Sequence, residues 1–204
     1  YTFEGWFTAA EGGDVVTADT VFDKDTTVFA HWKKNVVSAT PSVKLSTSKY
    51  TYNGKVKKPS VKVYVKGKAL NKDNYSVSYG KGRKNVGKYT VKVTLKNDYA
   101  GSKTVSFKIN PKGTSIKHLK KGVRAFKPTW KKQTRQISGY QVQYSTKKNF
   151  KSAKIKAVSS KKKSTWVIKK KAHKRYYVRI RTYKKVGKAK YYSSWSSAKS
   201  VKTK

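Results

Sequence analysis

The chain has 204 residues, of which 51 are Lys or Arg and only eight are Asp or Glu, so its formal net charge is +43. It contains no Cys, which excludes a disulfide framework, a Cys-ligated zinc site and a Cys nucleophile. Such a charge attracts polyanions, among them nucleic acid, teichoic acid, acidic glycans and anionic lipid, although a purely solubilising role stays open.

Short segments that alternate apolar and polar residues recur along almost the whole chain, and helical periodicity is nearly absent. Segments of this length between Gly, Asn, Pro, Ser and Lys clusters are typical of antiparallel sandwiches or barrels. Linker-like stretches at 33–42 and 110–115 divide the sequence into pieces 1–34, 40–111 and 112–204. No apolar run is long enough to span a bilayer, so we expect no membrane insertion. Because the pattern is already under way at Tyr1 and Met is absent, we expect a fragment of a longer protein.

Residues 1–34 combine an aromatic strand (Tyr1 to Trp6), a Gly12-Gly13 turn and a closing segment that ends at Trp32. They resemble the C-terminal half of the Listeria–Bacteroides repeat, also called the internalin B-repeat, which implies a partial β-grasp-like module of a bacterial surface protein. Two strands alone cannot bury a core, so we expect this piece to pack on a neighbour or to belong to a truncated module. Trp6 and Trp32 could form a sugar-stacking platform, and the alternative is that they are core aromatics.

Residues 40–111 carry two acids and 17 bases, with a turn signal at Tyr52-Asn53-Gly54 and alternating Val, Tyr, Phe and Ile strands. They resemble an Ig-like repeat of large secreted proteins of Gram-positive bacteria. Such proteins sometimes form a Lys–Asn isopeptide bond beside a buried carboxylate, for which only Asp73 and Asp98 are available. Both lie in turn contexts, where we expect Asp to make turn hydrogen bonds instead.

Residues 112–204 carry 31 bases and no acid, and their strand order resembles a fibronectin type III domain. Pro128 in the second strand removes a hydrogen-bond donor and predicts an edge or a bulge. Lys170 stands where the family usually has an apolar residue, and we expect Ile168 to fill that pocket. The resemblance implies a core that includes Trp130, Tyr140, Val142, Tyr144, Tyr176, Val178 and Ile180.

The stretch "RYYVRIRTYKK" beginning at Arg175 interleaves aromatic and basic residues. If Tyr176 and its alternate neighbours point inward, the other face presents Tyr177, Arg179, Arg181 and Tyr183. That face could bind a polyanion. The predicted polyanion-binding residues are Lys161, Lys162, Lys163, Lys169, Lys170, Lys171, Arg179, Arg181, Lys184 and Lys185.

The sequence offers little catalytic chemistry. Acid–base and glycosidase reactions need paired carboxylates, and residues 112–204 have none. His31, His118 and His173 are far apart and lack Asp or Cys companions, so a zinc site or a His-based triad is not indicated. The 23–27 segment is a weak calcium candidate. We therefore expect no enzyme activity, no metal site and no cofactor.

We expect an all-β, non-catalytic spacer, anchoring or adhesion region of a secreted or cell-wall-associated bacterial protein. Its partner would be an anionic cell-wall polymer or glycan, with a host surface ligand as a further option, and we expect a monomer. Two alternatives stay open: an accessory C-terminal tail of a secreted hydrolase whose catalytic domain lies upstream, or a module that binds nucleic acid without sequence preference.

Overall fold

The computed structural model describes all 204 residues and is built almost entirely from strands, with one short 3-10 helix at Lys72–Asn74. The predicted all-β class is confirmed. No helix has the length and the apolar character that crossing a bilayer requires. The chain forms two compact units, one of residues 1–44, 61–78 and 92–104, the other of residues 45–60, 79–91 and 105–204. The predicted domain boundaries stay predictions.

The strands up to residue 111 are β1 (Thr2–Phe7), β2 (Val15–Val16), β3 (Phe29–Lys33), β4 (Val37–Ser38), β5 (Ser42–Leu45), β6 (Lys49–Thr51), β7 (Val61–Val65), β8 (Lys68–Ala69), β9 (Tyr75–Tyr79), β10 (Gly87–Leu95), β11 (Tyr99–Ala100) and β12 (Ser102–Asn110). Those of residues 112–204 are β13 (Ile116–Gly122), β14 (Ala125–Trp130), β15 (Gly139–Ser145), β16 (Lys154–Val158), β17 (Ile168–Lys169), β18 (Arg175–Val186), β19 (Ala189–Tyr192) and β20 (Lys199–Lys202).

The first unit begins with a three-stranded antiparallel sheet in the order β2-β1-β3. A β-bulge lies between Phe3 and Gly5, and Gly5 takes a φ of 136° that suits glycine. Without this bulge, Phe3 and Trp6 would point to opposite faces, because strand side chains alternate. With it, their rings contact each other, at 5.8 Å between centroids.

The rest of the first unit contains the sheet β5-β7-β8 and the parallel pair β4–β11. Its core consists of apolar side chains on alternating strand positions: Val63, Val65, Tyr75, Val93 and Leu95. Asp73 and Asp98 are both exposed, so neither occupies the buried position that an isopeptide helper needs. The Asn71 side chain accepts a hydrogen bond from the Asp73 backbone N–H, and Asp98 forms an ion pair with Lys34 at 2.6 Å.

The second unit contains the Ig-like strand β6 and residues 105–110 of its parallel neighbour β12, with Lys49 next to Lys108. It also contains the whole fibronectin type III-like sandwich. One sheet of this sandwich has the order β13-β14-β17, and the other has the order β16-β15-β18-β19, with β20 also pairing with β18. Both sheets bury their inner faces in one apolar cluster, as alternating strands do in a sandwich.

The sandwich core places the seven residues of the fibronectin type III resemblance together. Six of them are buried, and Tyr144 is half-buried against the same cluster. Ile168 also lies in this core. Pro128 departs from expectation: it lies in the central strand β14, opposite Leu119, so an edge position is wrong. The irregularity falls on the partner strand, where β13 has a register shift between Ile116 and His118.

Candidate polyanion-binding surfaces

The predicted basic residues are distributed over three features of the sandwich. Arg179 and Arg181 lie on the outer face of β18, and the 161–163 lysines follow β16. Lys169 ends β17, and Lys170 and Lys171 follow it. Lys184 and Lys185 lie near the far end of β18, opposite Tyr191 and Lys190 of β19. The ten predicted residues therefore do not lie in a single site.

The two arginines of β18 belong to an alternating stack of rings and guanidinium groups, which we name the arginine ladder. The Arg179 guanidinium lies 4.0 Å from the Phe150 ring centroid and 5.1 Å from that of Trp195. The Arg181 guanidinium lies 4.3 Å from the Trp195 centroid and 4.0 Å from that of Tyr192. These are cation–π distances, so the ladder joins the loop after β15, strand β18 and the segment after β19.

The register of β15 and β18 completes the ladder. Gln143 lies opposite Arg179 and Gln141 lies opposite Arg181. Each arginine donates its Nε–H to the glutamine Oε1 across the strands, at 2.6 Å for Arg179 and 2.8 Å for Arg181. Their Nε donors and ring-facing surfaces are therefore occupied, which leaves the outer edge of each guanidinium for a ligand.

Burial lowers the pKa of Arg181, the nearby charge of Arg179 acts in the same direction, and Tyr192 opposes them. Arginine still remains charged in proteins, so the ladder is cationic. Tyr183 lies on the same face of β18, but it is only 8% exposed and its hydroxyl lies 3.2 Å from Ser159 Oγ. The expectation that Tyr183 is open to a ligand is wrong, because Tyr192 and the β16 end cover it.

Lys170 and Lys171, but not Lys169, border a cavity of about 390 Å³ that we name the Tyr144 hollow. The rings of Tyr144 and Tyr176 contribute to its lining, and the Lys170 ammonium lies 4.8 Å from the Tyr144 centroid. Five lysines surround it: Lys147, Lys151, Lys154, Lys170 and Lys171. No carboxylate is available nearby in sequence to neutralise them, because residues 112–204 contain none.

The turn between β15 and β16 positions three of these lysines. The buried Ser145 hydroxyl accepts a hydrogen bond from the Lys147 backbone N–H and donates one to the Lys151 carbonyl, both at 3.0 Å. Phe150 and Ser152 have positive φ values of 60° and 56°, an uncommon conformation for residues other than glycine. The turn is therefore held in one specific conformation.

A second cavity, of about 640 Å³, lies beside Trp166, and we name it the Trp166 hollow; Lys161 does not line it. Lys162 and Lys163 line it together with Lys127 of β14. The Lys163 ammonium lies 4.6 Å from the Trp166 ring centroid, and Lys156 reaches the same ring at 5.4 Å. Both ammonium groups already contact the indole, so the hollow offers its cations to an anionic group.

Trp6 and Trp32 lie on one face of the N-terminal sheet, with 49% and 59% of their surface exposed. The Phe3 ring contacts both, at 5.8 Å from Trp6 and 5.1 Å from Trp32. The alternative that the two tryptophans are buried core residues is therefore wrong. Sugar stacking on this exposed cluster stays a prediction.

The structure contains no group of three or more His, Asp or Glu side chains that could hold a metal ion. His31 stacks on Phe7 with 3.9 Å between ring centroids, and its Nε2 lies 2.9 Å from the Ala9 carbonyl oxygen. Both ion pairs of the protein, Lys33–Glu4 and Lys34–Asp98, lie in the first unit. The lysines of the sandwich are thus uncompensated.

Sequence reasoning missed Lys147, Lys151, Lys154, Trp166 and Trp195. Lys147 and Lys151 lie in a Lys-rich turn and Lys154 begins β16, so these three could have been chosen by position, since the turn joins two predicted strands. Nothing in the sequence places Trp195 beside β18, because it lies in irregular backbone after β19.

No family model matches the chain, and no curated protein matches it. Among solved structures, a β-1,2-glucanase from Parabacteroides distasonis is similar at 15% identity with a TM-score of 0.39, covering 55% of this chain. The chain spans 17% of that glucanase. The FN1–FN3 domains of chicken CNTN1 are similar at 14% identity with a TM-score of 0.38, covering 93% of this chain and 75% of that one. Similarity at this level carries no functional conclusion, and the assignment of Ig-like and fibronectin type III-like modules rests on the strand topology.

Proposed function

We propose that this chain is a non-catalytic, extracellular region of a bacterial surface or secreted protein that binds anionic cell-wall polymer. The Tyr144 hollow is the observation that carries the proposal. It brings five exposed or half-buried lysines around one cavity in a sandwich that has no carboxylate. Ammonium groups held together without counter-charges repel one another, and a polyanion that neutralises them releases bound counterions, which favours association.

A Gram-positive origin and an internalin B-type first module belong to the same proposal. Both the origin and the module type are supported by the sequence resemblances of residues 1–34 and 40–111 described above. The absence of a carboxylate pair from residues 112–204 supports a role in attachment, since hydrolysis of glycosidic bonds relies on two such groups.

The test is sedimentation of the chain with purified Gram-positive cell walls, with and without extraction of wall teichoic acid. We expect retention at physiological ionic strength, loss of retention after extraction, and steep weakening as salt rises to about half-molar. Retention that is unchanged by extraction or by salt would show that the proposal is wrong.

A variant pair tests the Tyr144 hollow within the same experiment. The hollow variant carries Lys147→Ser, Lys151→Ser and Lys154→Ser. The control variant carries Lys120→Ser, Lys121→Ser and Lys202→Ser, which removes three exposed lysines from β13 and β20. Because both lose three charges, a greater loss of retention in the hollow variant assigns binding to this cavity. Equal losses would assign binding to the charge of the sandwich as a whole.

A further inference from the structure

A second basic surface, outside all predicted site residues, follows the 110–115 segment of the second unit. Three cavities of about 510, 410 and 230 Å³ lie along it. Asn110 lines the first two, and Lys112 and Gln133 line both the first and the third. Because the first cavity shares lining residues with each of the other two, the three lie side by side, and we name them together the junction groove.

Three hydrogen bonds fix the backbone around the junction groove. The hydroxyl of Thr182, which is fully buried, donates to the Lys112 carbonyl at 2.8 Å. The Gln133 side-chain N–H donates to the Gly113 carbonyl at 3.0 Å, and the Tyr52 backbone N–H donates to the Asn110 carbonyl at 2.8 Å. The backbone that lines the groove is therefore ordered before a ligand binds, which reduces the ordering cost of binding.

The groove is cationic along its whole length. Four lysines line one cavity, and they are Lys49, Lys88, Lys108 and Lys190. Lys112, Lys131 and Arg135 line the other two, and no acidic residue lines any of the three. Lys49 and Lys108 are neighbours across the β6–β12 pair, where like charges repel. An anionic ligand would relieve this repulsion.

The aromatic rings of the groove favour a ligand without bases. Four aromatic residues line it: Tyr52, Tyr191, Tyr192 and Trp195. Tyr192 and Trp195 already stack with the Arg181 guanidinium in the arginine ladder, and Tyr52 and Tyr191 line two different cavities, so the groove has no row of adjacent free rings. Single-stranded nucleic acid gains much of its affinity by stacking bases on free rings. Lysine, in contrast, binds phosphate as a compact point charge without needing a planar partner. Six of the seven cations in the groove are lysines.

We propose that the junction groove binds a linear phosphate-bearing polymer that has no bases, recognised by the spacing of its charges along the groove. The class of ligand rests on the proposed function. The position of the site does not, because it follows from cavities that the predicted residues do not line.

The test measures binding of long-chain inorganic polyphosphate to the whole chain in a salt series, with orthophosphate and single-stranded oligothymidylate of equal charge as comparison ligands. The groove variant carries Lys49→Ser, Lys88→Ser and Lys190→Ser, all exposed positions. The control variant is the one defined above, at Lys120, Lys121 and Lys202. Circular dichroism melting checks that both variants are folded.

We expect polyphosphate to bind more tightly than the oligonucleotide, and orthophosphate to bind negligibly. In the groove variant the affinity should fall roughly tenfold and the log–log salt slope by roughly two, against less than about threefold in the control. Equal losses in both variants would overturn the groove while leaving the proposed function intact. Oligonucleotide binding as tight as that of polyphosphate would overturn the ligand class. Failure of the unaltered chain to bind polyphosphate at about 0.15 M salt would count against the proposed function as well.

Discussion

At the scale of single residues, the most informative side chain is Arg181. Its guanidinium stacks with two rings and donates Nε–H to Gln141 across the strands. A lysine keeps the charge but loses the planar contact and the fixed donor. The residue therefore stabilises the sheet in a way that its charge alone does not.

We predict that Arg181→Lys lowers the free energy of unfolding by about 1–2 kcal/mol, since it removes the half-buried guanidinium stacking against two rings and one charge-assisted hydrogen bond. Urea denaturation measures the change. The matched control is Arg175→Lys, because Arg175 is exposed on the same strand. Equal effects at both positions would show that the ladder contributes no stability of its own.

A second residue-scale prediction concerns Tyr89, whose hydroxyl donates to the Asn85 carbonyl at 2.9 Å. Burial raises its pKa above the ordinary 10.0. A raised folded-state pKa means that this contribution to stability is complete below about pH 10 and is lost as pH rises through the folded value. Urea denaturation should therefore show that the native protein exceeds Tyr89→Phe in free energy of unfolding by a margin that becomes smaller above pH 10. Tyr177→Phe, whose hydroxyl makes no hydrogen bond in the protein, serves as the control, and a Tyr89→Phe difference that is constant with pH would contradict the prediction.

At the scale of elements, the close pairing of β15 with β16 restricts which substitutions the sandwich accepts. Gly139 begins this strand, and a Cβ there would collide with the Val158 carbonyl oxygen of β16 and press on the Tyr183 ring. The collision with backbone cannot be relieved by a rotamer change. β16 would have to move away from β15.

We predict that Gly139→Ala destabilises the protein by about 2–4 kcal/mol, which is the range of severe single substitutions. Gly122→Ala is the control, because the nearest atom to its added Cβ lies 3.5 Å away and its φ is not positive. Thermal melting of both variants measures the difference. Similar melting temperatures would indicate that β16 adapts to the added methyl group.

Elements also show where sequence reasoning succeeds. Alternation in "YYVRIRTY" predicts that Tyr176, Val178 and Ile180 share a face, and all three are buried. Period-two alternation works here because one face of each strand meets the sandwich core. It cannot find the ladder, since Phe150 and Trp195 reach β18 from irregular segments. It also misses that Tyr183 is covered, because that depends on what β19 and the β16 end place over the sheet.

At the scale of the whole molecule, charge dominates. The net charge is +43, and of the 51 Lys and Arg residues only Lys33 and Lys34 form ion pairs, both in the first unit. Self-repulsion in the folded state is relieved when the chain expands, so it opposes folding. Screening by salt weakens this repulsion, and the Debye length falls from about 30 Å at 0.01 M to about 10 Å at 0.1 M.

We therefore predict that the melting temperature rises when sodium chloride is increased from about 0.01 M to about 0.5 M, measured by calorimetry. A protein held together by many ion pairs would respond in the opposite direction. The control is a variant in which several exposed lysines are acetylated, because a lower net charge should weaken the response. A melting temperature that falls with salt would contradict the prediction.

The long strand β18 has a consequence for the order in which the protein opens. It pairs with β15 on one side and with both β19 and β20 on the other, so its twelve residues lie in the middle of the five-stranded sheet. Amide protons in the middle of a sheet exchange with deuterium only when several strands separate together. The backbone from Tyr176 to Tyr183 should therefore be the last to exchange, and its exchange rate would report the global opening of the sandwich. The same segment carries both ladder arginines, so deuterium uptake there would also show whether a bound polyanion slows that opening.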